Sequence, residues 1–304
     1  MGQRNPGTSF LDESLRGQVM RINEKLFSFF SSEKELKTVW KIAKDGRTGF
    51  LAGTAHFFPY RLKKSLESYI QSTKVVLFEG PLDDQSMNRV VEHSLKVEEA
   101  ATLYEALDNQ TIGKIRKVAG HLFRNPDPLS LILPFTSRGQ DPLLVHFQSR
   151  SPWMAFFQIW SNFLKEKGWK HSVDLEAWQI AIQLGKEIIF LETIEEQIAG
   201  LAGIPLERFV QFFKKIDQWE EMFKTHAALY LQGEIETLLA ATNEFPSRCP
   251  AIVERRDPVM FERMKGYFTK GEVIAFVGTA HIPGIQDRFR AEGYTIRQVT
   301  QAQE

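Results

Sequence analysis

The tetrapeptide Gly-Thr-Ala-His occurs twice in the chain, at Gly53–His56 and at Gly278–His281. Each copy ends a run of apolar residues with the length of a buried β-strand, and a proline follows shortly after each copy. Two further apolar runs end in a glutamate, one in Glu79 and the other in Glu192. Four predicted strands therefore each carry one ionisable side chain at the carboxyl end, in the chain order His, Glu, Glu, His.

Two imidazoles and one or two carboxylates are a ligand set for a divalent metal ion that keeps one coordination position open for water. A metal lowers the pKa of such a water and polarises a scissile carbonyl, and a glutamate that is not a ligand can act as general base. We predict His56 and His281 as metal ligands together with one or both of the glutamates, Glu79 and Glu192, and a glutamate that does not bind the metal as a catalytic residue. The alternative stays open here, because a lone histidine at a strand end is commonly a hydrogen-bonded structural residue.

These side chains can meet only if their strands share one sheet. In open α/β sheets ligands bind at the carboxyl edge, and neighbouring strands lie about 4.8 Å apart, so residues at these ends converge. Gly53 and Gly278 remove a side chain where the backbone bends or a ligand approaches, and we predict them as substrate-binding positions.

Hydrophobic periodicity predicts an α/β fold with a mixed, largely parallel central sheet flanked by helices. Residues 38–56 form a predicted hairpin that turns at Asp45-Gly46. We expect one domain over residues 1–304 with a helical insertion at about 82–172. The remaining predicted strands are Lys74–Gly80, Lys186–Glu192, Val273–His281 and Tyr294–Val299. Single helices are predicted at 12–31, 62–72, 152–167, 174–184, 258–269 and 286–292, and the longer stretches 83–124 and 194–242 have helical patterns.

Composition excludes several classes of protein. Lys plus Arg is 38 and Asp plus Glu is 38, so there is no basic field for a phosphate backbone and we expect no nucleic-acid partner. The single cysteine, Cys249, excludes an internal disulfide and a zinc site made of several thiolates. The longest uncharged runs have 14 residues, fewer than the roughly 18 of a membrane span, and the N-terminus has no export signal. We therefore expect a cytoplasmic protein.

Five ordered segments resemble the TraB/GumN (PrgY, Tiki-type) family and together cover most of the chain. They are TVWKIAKDGRTGFLAGTAHFFP, KVVLFEG, VDLEAWQIAIQLGKEIIFLETIEEQIAGL, ERRDPVMFERM and VIAFVGTAHIPGIQDRFRAEGYTIRQV. The resemblance implies a fold shared with Tiki proteases and similar to the erythromycin-esterase and ChaN-like groups. It also implies manganese or cobalt as the metal, and zinc stays compatible with these ligand types.

The resemblance extends to single residues. It implies that His56 and His281 are essential and that Glu79 is their acidic partner. Arg256 matches the family arginine, although Arg255 next to it leaves that assignment ambiguous by one residue. A guanidinium there would bind a substrate carboxylate or stabilise an oxyanion. Asp174 and Glu192 also match family positions, and Asp174 is predicted to contact substrate.

Three functions follow as hypotheses. The first is a metal-dependent hydrolase, more specifically a peptidase, acting on a peptide or small-molecule substrate. The second is a metal-free hydrolase of esterase type, and the third is a peptide-binding regulatory protein without turnover. The aromatic helical face at residues 153–164 is predicted as core, with a homodimer surface or a groove wall as alternatives. The other histidines are predicted as surface or structural residues: His93, His121, His146, His171 and His226.

Overall fold

The computed structural model describes residues 33–95, 100–119 and 141–299. In this part of the chain six strands form one sheet, in the spatial order β4-β3-β5-β2-β1-β6. The strands are β1 (Val39–Lys44), β2 (Arg47–Thr54), β3 (Val75–Phe78), β4 (Glu187–Phe190), β5 (Val273–Gly278) and β6 (Thr295–Gln298).

The four strands on one side of the sheet are parallel, and they end together. β5 pairs in parallel with both β2 and β3, and β4 pairs in parallel with β3. β1 is antiparallel to its neighbours β2 and β6. Thr54 at the end of β2 lies opposite Gly278 at the end of β5, so the two Gly-Thr-Ala-His motifs leave the sheet side by side.

The β1–β2 connection is a two-residue turn. Asp45 (φ 49°) and Gly46 (φ 74°) both adopt the left-handed conformation that this hairpin geometry requires. The turn sets the register in which Val39 faces Ala52, and hence how far β2 extends toward the first motif.

Helices cover the sheet and connect the parallel strands. Six of those in the described residues lie between β3 and β4, and five lie between β4 and β5. They are α1 (Lys63–Gln71), α2 (Asp84–Ser94), α3 (Ala100–Glu105), α4 (Asn109–Ala119), α5 (Pro142–Gln148), α6 (Pro152–Glu166), α7 (Val173–Gln183), α8 (Ile194–Ala202), α9 (Leu206–Lys214), α10 (Trp219–Gln232), α11 (Ile235–Ala241), α12 (Asp257–Phe268) and α13 (Ile282–Ala291), with 3-10 turns at Ile216–Gln218 and Thr279–His281.

The aromatic face of α6 is part of the core, as predicted. Phe156 is fully buried, and its ring centroid lies 5.2 Å from those of Phe209 and Phe213 on α9. Trp160 packs edge-to-face on Trp219 at 5.0 Å. Aromatic contacts of this kind join α6, α9 and α10 into one layer, so this face of α6 is covered by the protein itself.

The predicted fold class is confirmed: the sheet is mixed and mostly parallel, with helices around it. The run Val273–His281 is a strand only as far as Gly278, because its last three residues form a 3-10 turn. The predicted helix at 286–292 already begins at Ile282, since Pro283 fits the first turn of a helix. The predicted helix at 12–31 and the last residues of the pattern at 83–124 lie outside the described residues, and the insertion at about 82–172 stays a prediction.

None of the helices among the described residues is both long enough and apolar enough to cross a membrane.

Candidate active site

Glu79, one residue beyond β3, is the carboxylate at the centre of the site. Its Oε1 atom accepts a hydrogen bond from the backbone N–H of Gly278 and lies 3.7 Å from Nε2 of His281. Its Oε2 atom accepts a hydrogen bond of 3.1 Å from Arg256. Burial by itself would raise the pKa of Glu79, but His281 and Arg256, with His56, lower it to about 2. Glu79 is therefore ionised at neutral pH.

His281 is held by a second buried carboxylate. Its Nδ1 atom lies 2.6 Å from Oδ1 of Asp257, and the two side chains are only 3% and 4% exposed. His281 is the N-cap residue of α13, and Asp257 is the first residue of α12, so the contact joins the starts of two helices. Burial raises the pKa of Asp257, and His281 opposes that shift. With Nδ1 occupied by Asp257, Nε2 is the ring atom that faces Glu79.

Two glycines make these contacts possible by leaving space. A Cβ atom at Gly284, in the first turn of α13, would lie 1.9 Å from Oδ2 of Asp257. A Cβ atom at Gly278 would lie 3.1 Å from Oε1 of Glu79 and 3.8 Å from Cδ2 of His281. A side chain at either position would push a carboxylate away from the histidine.

His56 has a carboxylate partner of its own on another helix. Its Nδ1 atom lies 2.8 Å from Oδ2 of Asp174, which is in the first turn of α7. The Asp174 carboxylate beside the ring is the main cause that raises the pKa of His56 above its usual value. The Glu79 charge acts in the same direction, so Glu79 and His56 interact electrostatically. The His56 side chain is 67% exposed, and it is therefore the solvent-facing histidine of the pair.

Backbone hydrogen bonds place Asp174 beside His56. The segment after β2 pairs with the residues before α7: Phe58 and His171 exchange hydrogen bonds of 2.7 and 3.1 Å, and the N–H of Val173 donates to the carbonyl of Ala55. The side chain of Ser172 then caps α7 by accepting from the N–H of Leu175. The helix consequently starts directly opposite the first motif.

Arg256 links the two strand-end glutamates. Its Nε and Nη2 atoms donate to the Glu192 carboxylate at distances of 2.5 to 3.1 Å, and Nη2 also donates to Glu79. Burial tends to lower the pKa of Arg256, but Glu192 and Glu79 raise it above its usual value. Arg255 is exposed, so Arg256 is the arginine of this site.

Glu192 is positioned by the segment that follows it. Thr193 and Glu196 form a capping box at the start of α8, with reciprocal hydrogen bonds of 3.2 and 2.8 Å. Arg263 on α12 donates to the carbonyl of Leu191 at 2.6 Å. The backbone on both sides of Glu192 is thereby held, and its side chain points toward Arg256.

The structure brings most of the predicted residues together. His281, Glu79, Arg256 and Glu192 form one chain of contacts. His56 and Asp174 form a second pair, which is linked to Glu79 electrostatically. The roles assigned to these side chains stay predictions.

Gly53 has a packing role in the described structure. Its carbonyl accepts hydrogen bonds of 2.7 Å from both Thr38 and Tyr230. A Cβ atom on Gly53 would lie 3.3 Å from Thr279 of the second motif and 3.2 Å from Ile282. Gly53 thus lets the two motifs pack closely, and its predicted contact with substrate stays a prediction.

The donor set has the chemistry of a metal site but not a preformed cluster. Each histidine has a carboxylate at Nδ1, the outer partner that metal-bound histidines usually have, and each keeps Nε2 for an ion. In the described residues, however, no three His, Cys, Asp or Glu side chains are grouped closely enough to hold a metal. The residue types fit the predicted ion, and binding would require Glu79 and the rings to adjust.

Two side chains that lie at this site are not among the predicted residues. Asp257 is one of them, although the dipeptide Asp-Pro at a helix start after Arg256 marks a carboxylate at a fixed place. Arg248 is the other; its Nη2 atom lies 3.3 Å from Oγ1 of Thr279. No local pattern identifies Arg248, because the loop that carries it meets the second motif only in the folded chain.

The space at Gly284 is testable. Gly284→Ala should displace Asp257 from His281 and lower the free energy of unfolding by about 1–3 kcal/mol. The added Cβ is fixed to the helix backbone, so the clash cannot be relieved by a change of rotamer at residue 284. Urea unfolding measures the cost, and the NMR shift of the His281 ring reports the lost contact. Gly266→Ala on α12 is the matched control, since nothing lies within 4 Å of its Cβ position. An unchanged His281 signal in Gly284→Ala would contradict the close approach.

The Arg256 bridge gives a second prediction. Arg256→Met leaves two buried carboxylates without their cation, which should lower the free energy of unfolding by about 3–5 kcal/mol. Arg255→Met, one residue away and exposed, should change it by less than about 0.5 kcal/mol. Equal stability of the two variants in urea would show that Arg256 does not hold the glutamates together.

A family model described as the TraB/PrgY/gumN family matches residues 38–298, from the start of the hairpin to the end of β6. The matched region includes both Gly-Thr-Ala-His motifs and the Glu79–Arg256–Glu192 bridge. No curated protein and no solved structure matches the chain. Because the match covers most of its length, the chain belongs to the TraB/PrgY/gumN family.

Proposed function

We propose that this protein is a hydrolase that cleaves peptide bonds at the site formed by His56, Glu79 and His281. The observation that carries the proposal is the pairing of each motif histidine, through Nδ1, with a carboxylate from a different helix. Such pairing fixes the ring and makes Nε2 a better proton acceptor or metal ligand. Packing alone does not require that two histidines near one ionised glutamate each have a carboxylate at Nδ1.

The acid–base properties of the carboxylates narrow their roles. A general base works best when its pKa lies near the working pH, and a carboxyl group with a pKa of about 2 is a weak proton acceptor. Glu192 is directed to Arg256 and is 2% exposed, so it does not reach substrate water. We therefore assign Glu79 as a ligand and electrostatic anchor, and Glu192 and Arg256 as residues that position it. The imidazoles serve as ligands when an ion is bound, and as proton acceptors only in a metal-free site.

A divalent ion fits this assignment, with Nε2 of His56, Nε2 of His281 and the Glu79 carboxylate as the residues that would hold it. When bound, it would supply a water of lowered pKa and polarise the scissile carbonyl. Asp174 and Asp257 would orient the two rings. The exposed side of His56 is the direction from which substrate enters.

The resemblance to Tiki-type peptidases is the reason for proposing peptides as the substrate class. Manganese and cobalt come from the same resemblance, and zinc is compatible with the ligand types.

A metal-free hydrolase is the second candidate, and one observation favours it: Glu79 is already paired with Arg256 and Gly278. In this version His281 takes a proton from water through Nε2, while Asp257 stabilises the charged ring. Both versions of the hydrolase depend on the same two histidines, and they differ in whether activity requires a metal ion.

The first test is removal of either ring. His56→Ala and His281→Ala should each reduce cleavage of an N-acetylated random peptide pool, followed by mass spectrometry, by at least about 100-fold. His93→Ala is the matched control, because His93 lies exposed on α2. Cleavage at the wild-type rate in either motif variant would reject the proposal. Peptide retention by the wild type without any product would favour the binding function instead.

The second test is removal of metal. Chelation should reduce cleavage to the background rate, and addition of Mn²⁺ or Co²⁺ should restore it. Asp257→Asn, which changes only the outer partner of His281, should weaken metal binding by about 10–100-fold in a direct titration. Undiminished cleavage by protein shown by elemental analysis to be metal-free would reject the metal and support the metal-free version.

A further inference from the structure

A second arginine, Arg248, lies beside the second motif and has no acidic partner among the described residues. Its Nη2 atom lies 3.3 Å from the hydroxyl of Thr279, two residues before His281. Its Nε atom is buried and has no hydrogen-bond acceptor among the described residues. Burial lowers the pKa of Arg248 to about 10, with Glu79 opposing the shift, so the group stays cationic at neutral pH.

The two arginines of the site are therefore in opposite situations. Arg256 is neutralised by Glu192 and Glu79, whereas Arg248 forms no ion pair within the described part of the chain. A partly buried guanidinium without a counterion lowers stability, because its lost hydration is not replaced. Folding alone gives no reason for this placement, but a ligand with a negative charge does.

Two further buried polar atoms have no hydrogen-bond partner among the described residues. One is the hydroxyl of Thr54, at the position opposite Gly278 in the sheet. The other is Nε2 of His226 on α10, where burial and the charge of Arg248 lower the pKa to about 4. The neutral ring adds no charge, so Arg248 is the cation of this group of atoms.

The chemistry of these groups selects the ligand. A guanidinium offers N–H donors in a planar fork that matches the two oxygens of a carboxylate, and hydroxyls add further hydrogen bonds. The position of the carboxylate follows from Thr279, which shares a 3-10 turn with His281. A 3-10 turn rises about 2 Å per residue, so Thr279 and His281 lie about 4 Å apart along it. This distance corresponds to the length of one to two residues of an extended peptide, at roughly 3.3–3.6 Å per residue.

We propose that Arg248 binds the free C-terminal carboxylate of a peptide, so that the site acts on the last one or two residues of its substrate. The cleavage rests on the proposed function, but the carboxylate recognition does not. No covalent step is added: Arg248 positions the end of the chain, and His56, Glu79 and His281 act on the bond before it.

The test compares two pools of N-acetylated random peptides, one with free C-terminal carboxylates and one with C-terminal amides. Ultrafiltration measures retention by the protein, and mass spectrometry measures cleavage. The wild type should retain the free-acid pool at least about tenfold better than the amide pool, which is the order of a charge-assisted hydrogen-bond pair. Arg248→Met should remove that difference, and Arg248→Lys should restore only part of it because lysine lacks the fork.

Stability provides the control for folding. Because Arg248 forms no ion pair with the described residues, Arg248→Met should unfold at the same urea concentration as the wild type or at a higher one, the opposite of Arg256→Met. Arg255→Met should behave as wild type in retention. A folded Arg248→Met protein that still prefers the free-acid pool would overturn the proposal.

The outcomes separate this inference from the proposed function. Preference for the free-acid pool without any cleavage would support Arg248 as a carboxylate site and reject the hydrolase. Equal retention of both pools by the wild type would overturn the carboxylate site, whether or not peptides are cleaved. Equal loss of cleavage rate on both pools in Arg248→Met, with retention unchanged, would also overturn it and assign Arg248 to stabilisation of the transition state.

Discussion

The site depends on one buried ionic bridge, in which Arg256 joins Glu192 to Glu79. The two carboxylates follow neighbouring parallel strands. Both are largely buried, so they would repel one another without a cation between them. A single planar guanidinium satisfies both, and it also leaves one Glu79 oxygen free to face Gly278 and His281. The orientation of Glu79, and with it the contacts of Glu79 with Gly278 and His281, depends on this bridge.

The histidines show how helix starts complete a site that begins at strand ends. β2 and β5 deliver the rings, and α7 and α12 deliver the carboxylates that hold them. The helices approach because small residues stand where they meet; Gly284 is the clearest case, since any larger residue would occupy the position of the Asp257 carboxylate. Rigid elements on both sides give the rings fixed orientations, which catalysis or metal binding requires.

Arg248 and Arg256 illustrate two uses of the same side chain. One arginine is neutralised inside the protein and stabilises the arrangement of other groups. The other forms no ion pair with the part of the chain that the structure describes, and its Nη2 atom contacts the Thr279 hydroxyl beside the second motif. The difference is not visible in residue type and arises only from which groups the fold places around each guanidinium.

Much of the fold was predictable from the sequence, because the apolar runs of buried strands and the Asp-Gly turn are local signals. The strand-end residues His56, Glu79, Glu192 and His281 were identified for the same reason, since parallel strands end at one edge. The 3-10 turn at Thr279–His281 was not predicted, because it packs against β2 and α13, which a local pattern does not reveal.

Local pattern by itself thus determined which strands exist and which side chains stand at their ends. Only the tertiary structure decided the partners: that Arg256 rather than Arg255 bridges the glutamates, that Asp174 and Asp257 hold the rings, and that Arg248 lies beside Thr279. The physical reason is the separation along the chain of the residues that interact. Strand formation depends on residues a few positions apart, whereas these ionic contacts join residues 24 to 177 positions apart and exist only once the helices pack on the sheet.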